Sequence, residues 1–316
     1  MTFAFFEGAE KKLELSVKSH RPSLRAMPRA RWERVVQAAQ AQVISVLSSD
    51  SCDAYLLSES SLFVFDSFVT MITCGRTRLV DAAVEILGFV DLDQLEYLIF
   101  ERKNEVFPQA QSTSFFEDAR RLQQLVEGRA VRFGVEHEHS VRMFHTTRPY
   151  HPEEHDRTLE VLMYGIDESC AANFRGGAAS AASSVARHVG LADLLPDFRL
   201  DEHVFEPAGY SLNGLHEDGY VTIHVTPERE GSYASFETNH DFGFHLSTIV
   251  EKVVRMFRPE SFDVIYFAPD AEHLHVDVRG YALRSDVLEP LSGYHVTFKH
   301  FFRPPRSACR AASLKL

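Results

Sequence analysis

The sequence predicts an α+β fold built largely on antiparallel sheets, and three observations carry that reading. Apolar and polar residues alternate with period 2 through "FVTMITC" and "YVTIHVTP", as a strand with two unlike faces requires. The links from "SSLFVF" into "FVTMITC", and from "YVTIHVTP" through "EREG" into "SYASFETN", are of hairpin length, too short for the crossover of a parallel pair. Helical periodicity is confined to a few stretches. In chain order, Trp32, Val35, Val36 and Ala39 recur at helical spacing, and "QVISVLSS" and "AYLLSESS" follow as strands. The next strand puts Phe68, Thr70, Ile72 and Cys74 on one face and Val69, Met71 and Thr73 on the other. A second helix runs from Thr77 to about Gly88, with Leu79, Ala83, Ile86 and Leu87 on one side. A third carries Leu246, Ile249, Val250, Val253 and Phe257 until Pro259 stops it. The Ala/Ser-rich run "GGAASAASSVARHVGLADLLP" could be a linker, but its later half has helical spacing. No repeat of fixed period is visible.

Length and composition bound the function. A chain of 316 residues, 45% hydrophobic, can bury one large core, and residues 1–316 are read as a single domain. The start "MTFAFFEGAEKK" has neither the basic end nor the apolar run of a signal peptide, and no stretch reaches the roughly 20 apolar residues of a membrane span. The expected location is the cytoplasm, without membrane contact. Cys52, Cys74, Cys170 and Cys309 form no CxxC pair, so reduced thiols are expected rather than disulfides or a cysteine zinc site. A formal charge of −12 repels phosphate backbones and argues against nucleic acid. The tail "RPPRSACRAASLKL", residues 303–316, reads as a flexible terminus.

Few of the possible chemical motifs survive inspection. Histidines cluster in "EHEHS" (136–140), "HTTRPYHPEEH" (145–155) and "HLHV" (273–276), yet none has the HExxH or matched Cys/His spacing of a metal site. They read as loop or strand-surface residues, and no metal is expected. "RGGAAS" lacks the lysine of a phosphate loop. The polar cluster in "YLLSESSLFVF" differs, because a serine in a strained turn between strands can attack its own preceding carbonyl, that of Glu59. Alone it would be an ordinary hairpin end.

Combination gives it weight. "FFEGAEKKLEL", "YLLSESSLFVF", "TCG" fourteen residues after Ser60, "DRTLEVLM", "FEPAGYSLNG", "YVTIHVTPE" and "SYASFETN" together resemble eukaryotic-type S-adenosylmethionine decarboxylase, in order and spacing, from Phe5 to about Phe302. The resemblance implies a four-layer αββα sandwich of two antiparallel sheets flanked by helices, in two similar halves. It implies a proenzyme that cuts itself between Glu59 and Ser60, leaving a small chain 1–59 and a large chain 60–316 that begins with a pyruvoyl group made from Ser60. By the same resemblance His224 is the base that removes the Ser60 α-proton, Ser211, ahead of an expected turn at Asn213-Gly214, steadies the oxyanion of the acyl shift, and Cys74 is the proton donor in turnover. Glu59 and Glu10 complete the catalytic set. Phe6 and Phe205 correspond to the pair that sandwiches adenine, Glu228 to the carboxylate that takes the ribose hydroxyls, and Glu7 sits at the rim of that site. The implied substrate is S-adenosylmethionine, decarboxylated to the aminopropyl donor of spermidine and spermine. A pyruvoyl decarboxylase of ornithine or arginine is the alternative, and an inactive partner subunit is the third reading. Retention of Phe6 and Phe205 disfavours the second, and retention of Ser60, Cys74, Ser211 and His224 the third. The state could be a monomer or a homodimer.

Departures from the family are informative. The usual cysteine before "GYS" is Ala208, a small residue in a small space. Glu14, Asp156, Thr158, Glu160 and Glu237 correspond to the acidic cluster that binds the activator putrescine in animal relatives. Lys12 stands where those have leucine and plant relatives, which do without putrescine, have arginine. Period 2 sets Glu10, Lys12 and Glu14 on one strand face. Lys12 is therefore expected to supply a built-in ammonium, making putrescine possible but not required. Ile72 replaces an animal lysine, and Ile99 and Phe267 lack the other basic residues of the plant pattern.

Overall fold

The computed structural model describes residues 6–18, 22–136, 139–175, 184–242, 246–271 and 274–304. Two eight-stranded antiparallel sheets lie face to face. In chain order the first is built from β1 (Lys11–Val17), β2 (Val43–Ser48), β3 (Asp53–Leu57), β4 (Ser60–Val64), β5 (Phe68–Thr73), β6 (Leu95–Lys103), β7 (Gly128–Gly134) and β8 (Ser140–Thr146). Its spatial order is β2-β3-β4-β5-β1-β6-β8-β7. The second contains β9 (Thr158–Tyr164), β10 (Arg199–Val204), β11 (Tyr210–His216), β12 (Gly219–Thr226), β13 (Tyr233–Thr238), β14 (Ser261–Ala268), β15 (Ala282–Leu291) and β16 (Tyr294–Phe302). Its order, β10-β11-β12-β13-β9-β14-β16-β15, repeats the first strand for strand. The halves thus share a topology that leaves no period in the sequence.

Alternation sends one face of each sheet to helices and the other to the seam. The helices α1 (Arg29–Ala38), α2 (Leu79–Leu87) and α3 (Phe115–Gln123) cover Leu13, Leu15, Val69 and Met71 with Trp32, Val36, Val80, Ile86 and Leu122. The short turns α4 (Glu168–Ala171), α5 (Val185–His188) and α6 (Leu191–Leu194) and the longer α7 (Leu246–Phe257) cover Val161, Ile223, Phe236 and Val264 in the same way. At about 25 cal/mol per Å² of apolar surface buried, these two layers are the main source of stability. The seam is apolar only in part. Phe63 stacks on Tyr220 at 4.3 Å on one side, and Ile99, Met143, Leu162, Ile265 and Phe298 pack on another. Charged and hydroxyl groups fill the space left.

The expected elements are present, with differences. The second helix opens at Leu79 rather than Thr77, because Thr77 Oγ1 turns back to Cys74 O at 2.9 Å. α3 was not legible from apolar period; Ser114 and Glu117 cap it reciprocally, the Ser-x-x-Glu signature of a helix start. Asn213-Gly214 is not a turn. Both lie inside β11, and the turn falls at Glu217-Asp218. Gly214 is there for close packing, since a Cβ would come within 2.7 Å of Val221 Cγ1. Arg303 is not part of a loose tail, for its guanidinium donates to Arg258 O and Tyr281 Oη. Residues 305–316 and 176–183, the latter holding much of the possible linker, lie outside the described residues, as does Cys309. Among the described residues, no helix is long and apolar enough to cross a membrane.

Two substitutions separate core from surface. Phe257→Ala, at a fully buried position of α7, is expected to cost about 3–5 kcal/mol. Leu283→Ala, 49% exposed, should stay within about 0.5 kcal/mol. Urea unfolding followed by far-ultraviolet circular dichroism measures both.

Candidate active site

The hairpin joining β3 to β4 has a two-residue loop, Ser58-Glu59, with Leu57 paired to Ser60. Closing so tight a loop puts Ser60 at φ 125°, a conformation that costs a residue with a side chain on the order of 1–3 kcal/mol. The strained bond is the one following Glu59. Its carbonyl oxygen accepts the backbone N–H of Cys74 at 3.1 Å, and Cys74 Sγ stands 3.7 Å away. Ser60 Oγ in turn donates to Cys74 Sγ at 3.4 Å. Burial pushes the Cys74 thiol up to about 12, against the pull of the Ser60 hydrogen bond, so it carries its proton at neutral pH. Gly75 has φ 64°, and a Cβ there would meet the Phe6 ring at 3.0 Å and Glu59 Oε2 at 3.2 Å. Only glycine lets those groups close on the turn. Burial also raises the Glu59 carboxyl, opposed by the Lys11 ammonium.

His224 enters from the opposite sheet. Its Nδ1 meets Glu10 Oε1 at 2.7 Å, and that carboxylate also accepts from Ser235 Oγ at 2.7 Å and Tyr233 Oη at 3.1 Å. An ionised carboxylate only accepts, so the proton belongs on Nδ1 and the Nε2 lone pair faces the first sheet. Nε2 lies 2.9 Å from Ser61 Oγ and 3.1 Å from Thr222 Oγ1. Ser61 Oγ also approaches Asn213 Oδ1 at 2.6 Å. The imidazole therefore contacts the residue after Ser60 rather than Ser60 itself. Ser211 sits directly opposite His224 in the ladder and is buried. Its hydroxyl holds no hydrogen bond among the described residues, and the donor on the Glu59 carbonyl is the Cys74 amide.

The remaining expected binding residues divide. Phe6 is 37% exposed with its ring against Gly75, and Phe205 is half-buried, edge-on to His203 at 4.7 Å. Glu228 is half-buried, with Arg175 close enough to feel its charge. Glu7 is not at a rim. It is buried, and its Oε2 accepts the Phe107 amide at 2.9 Å.

The acidic cluster lies two residues further along the same strands. Lys12 Nζ is 3.0 Å from Glu160, 3.1 Å from Glu237 and 3.4 Å from Glu14, and 5.6 Å from the Phe267 ring centroid. These carboxylates outweigh burial and hold the ammonium well above its usual value. Lys103, which the sequence reading passed over, pairs with Glu160 and lies 2.5 Å from Glu101. Burial raises Glu237 to about 8 and Glu101 to about 7, whereas the two lysines overcome burial and lower Glu160 to about 2. Asp156 stands apart, accepting from Tyr150 at 2.7 Å and Tyr294 at 2.6 Å. With Thr158, Tyr97 and Glu14 it lines a cleft of about 450 Å³ that leads to the cluster. One histidine of the polar runs is not a surface residue: His145 is buried, bonded to Thr146 O, Ser292 and Arg129.

Comparison with known proteins places the chain in a family. The family model described as adenosylmethionine decarboxylase matches residues 3–302. The S-adenosylmethionine decarboxylase proenzyme of Dictyostelium discoideum is 31% identical over 94% of this chain and 85% of its own. That of Xenopus laevis is 34% identical over 83% of each. The solved structure of the Trypanosoma brucei AdoMetDC-delta26 monomer superposes with a TM-score of 0.59 at 25% identity, over 77% of this chain and 99% of that one. With a strained Glu59-Ser60 bond at the site and sequence agreement along almost its whole length, the chain belongs to the adenosylmethionine decarboxylase family.

Proposed function

We propose that the protein is a self-processing decarboxylase that converts S-adenosylmethionine to its decarboxylated form, the aminopropyl donor of spermidine and spermine. The observation that carries the reading is Ser60, held at positive φ with its hydroxyl on Cys74 and the preceding carbonyl bound by the Cys74 amide. Strain and a polarised carbonyl favour attack of Ser60 Oγ on the Glu59 carbon, where the Cys74 N–H can stabilise the oxyanion. Ser211, facing the site with a free hydroxyl, is the second donor available to that charge. Glu10 orients His224 so that Nε2 can take a proton beside residue 60, which opens the resulting ester by elimination. Elimination would leave dehydroalanine at position 60, which takes up water and loses ammonia to give a chain-terminal pyruvoyl group; the fit of such a group rests on the strain at Ser60 and on the buried thiol beside it. Such a group supplies an electron sink for loss of carbon dioxide.

The other residues bind and orient. Phe6 and Phe205 present aromatic faces that can hold an adenine between them, and an aromatic face attracts a sulfonium by about 0.5–2 kcal/mol. Glu228 offers a carboxylate to the ribose hydroxyls. Cys74, protonated at neutral pH, is the donor to the α-carbon after decarboxylation. No observation favours a free diamino acid, which would leave the aromatic pair without a role. Lys12 takes the place of an activating diamine among Glu14, Glu160 and Glu237, and Lys103 adds a second ammonium.

Purified protein is expected to run as two chains, one ending at Glu59. Ser60→Ala should remain whole. Cys74→Ala should process at least in part yet lose at least about 100-fold in carbon dioxide release from S-adenosylmethionine; normal turnover would remove Cys74 from its role. For regulation, wild-type activity should change little with millimolar putrescine, whereas Lys12→Leu should fall in activity and recover with the diamine. Strong activation of the wild type would refute the built-in ammonium.

The cluster also sets a pH dependence. Glu237 and Glu101 are raised above the ordinary value of 4.5, so their folded forms bind protons that the unfolded chain has released. Their contribution is full below about pH 4.5 and is lost as pH rises through about 7 and 8, by at most about 1.4 kcal/mol per pH unit for each group. Glu160, lowered to about 2, acts oppositely, and its contribution disappears only as pH falls from 4.5 toward 2. Denaturant midpoints between pH 5 and 8 should decline less steeply for Glu237→Gln than for the wild type.

A further inference from the structure

Four strands along the cross-strand row from His224, the second sheet carries another pair of titratable groups. The row runs from His224 through Ser235 and Leu162 to Asp263 and His300. His300 Nδ1 meets Asp263 Oδ1 at 2.6 Å, and both residues are buried. From the first sheet, His139, in the turn before β8, lays its ring on His300 at 4.5 Å and 22°. Its Nε2 is 3.0 Å from Ser261 Oγ. One donor atom from each of His139, Asp263 and His300 falls within a sphere where all lie inside 4.8 Å of one another.

An ion pair alone explains only half of this. Asp263 is 0% exposed, yet its Oδ2 completes no hydrogen bond of ordinary geometry. The Tyr164 phenol is near enough to feel that charge, but its hydroxyl also lacks a hydrogen bond of ordinary length and angle. A buried carboxylate oxygen left in that condition costs on the order of 1–3 kcal/mol or more, and a cation removes the cost. We propose that His139, Asp263 and His300 bind a divalent transition-metal ion of the zinc type.

Two imidazoles and a carboxylate are a donor set for zinc, cobalt(II) or nickel rather than for calcium or magnesium, which take oxygen. Bonds of about 2.0–2.2 Å need the donors drawn closer together than they stand here, and His139, outside the strands, is the ligand that can move. His139 is half-buried, which gives the ion a route from solvent, and a fourth position remains for water. Metal ligands bind in their proton-free forms, so affinity falls as the solution becomes acid. Because His139 belongs to one sheet and the other two ligands to the second, the ion would staple the sheets. Linear spacing hides such a site, since His139 stands more than a hundred residues before Asp263 and His300, with β9 between.

The test uses the full-length protein after treatment with a chelator. Zinc in competition with a chromogenic chelator should show one equivalent bound, and cobalt(II) should give the visible bands of a four- or five-coordinate nitrogen–oxygen site. Added zinc should raise the unfolding temperature until one equivalent is reached. His139→Ala should keep its circular dichroism and its carbon dioxide release without metal, while losing zinc affinity by more than about 100-fold, beyond the effect of losing an outer partner. His300→Gln should do the same. Absence of a stoichiometric site, or a site that survives His139→Ala, would overturn the assignment, the latter by placing the ion on other histidines.

Discussion

The ammonium of Lys12 is the charge on which the middle of the molecule depends. It issues from the first sheet and is met by Glu160 and Glu237 from the second, with Glu14 beside it. Each of those carboxylates, out of water and without a cation, costs several kcal/mol, and together they repel one another. Apolar packing on the outer faces makes each sheet stable on its helices but does not decide how the inner faces meet. The lysine and its partners set that distance and register together with the apolar contacts of the seam, such as Phe63 on Tyr220. Lys103 repeats the device one strand away, between Glu101 and Glu160.

The chemistry borrows the same strands. Glu10 lies just ahead of β1, two residues from Lys12, His224 is two from Thr222 on β12, and Ser235 two from Glu237 on β13, with Thr222 and Glu237 paired across the ladder. Period 2 therefore sets the charge cluster and the Glu10–His224 pair on one face as neighbouring rows, about 7 Å apart. A change in the spacing at Lys12 is a change in the aim of His224. On the roles proposed for Glu10 and His224, this adjacency is a physical route by which charge in the cluster would reach them without direct contact.

Much of this was legible in the sequence, because strands expose their faces by period. Phe68, Thr70 and Ile72 were separable from Val69 and Met71, and they do face different layers. Ser60, Cys74, His224 and Lys12 were singled out because short motifs surround them. What escaped was set by pairing across sheets. Nothing local marks Ser61 as a partner of His224, Asn213 as a partner of Ser61, or Lys103 as a second cation. Asn213-Gly214 has the composition of a turn and the position of a strand interior, since the missing side chain answers to Val221 rather than to backbone angles. His145 looked like a surface residue in a polar run until the fold brought Arg129 and Ser292 to it.

The strand order has a mechanical consequence. β1 lies between β5 and β6, with six residues paired to the former and seven to the latter, while β2 and β3 form the edge next to β4. A break after residue 59 leaves β1 to β3 in one piece and β4 to β16 in the other, so that the first sheet is shared between them. The pieces are then not two bodies touching along a face but interleaved parts of one sheet, with the shorter piece threaded through the centre of the longer. Dilution offers such a pair no path apart, because release requires unzipping both margins of a buried strand. A molecule of this topology can be cut in the turn between β3 and β4 and keep its shape, so covalent continuity is dispensable at that turn.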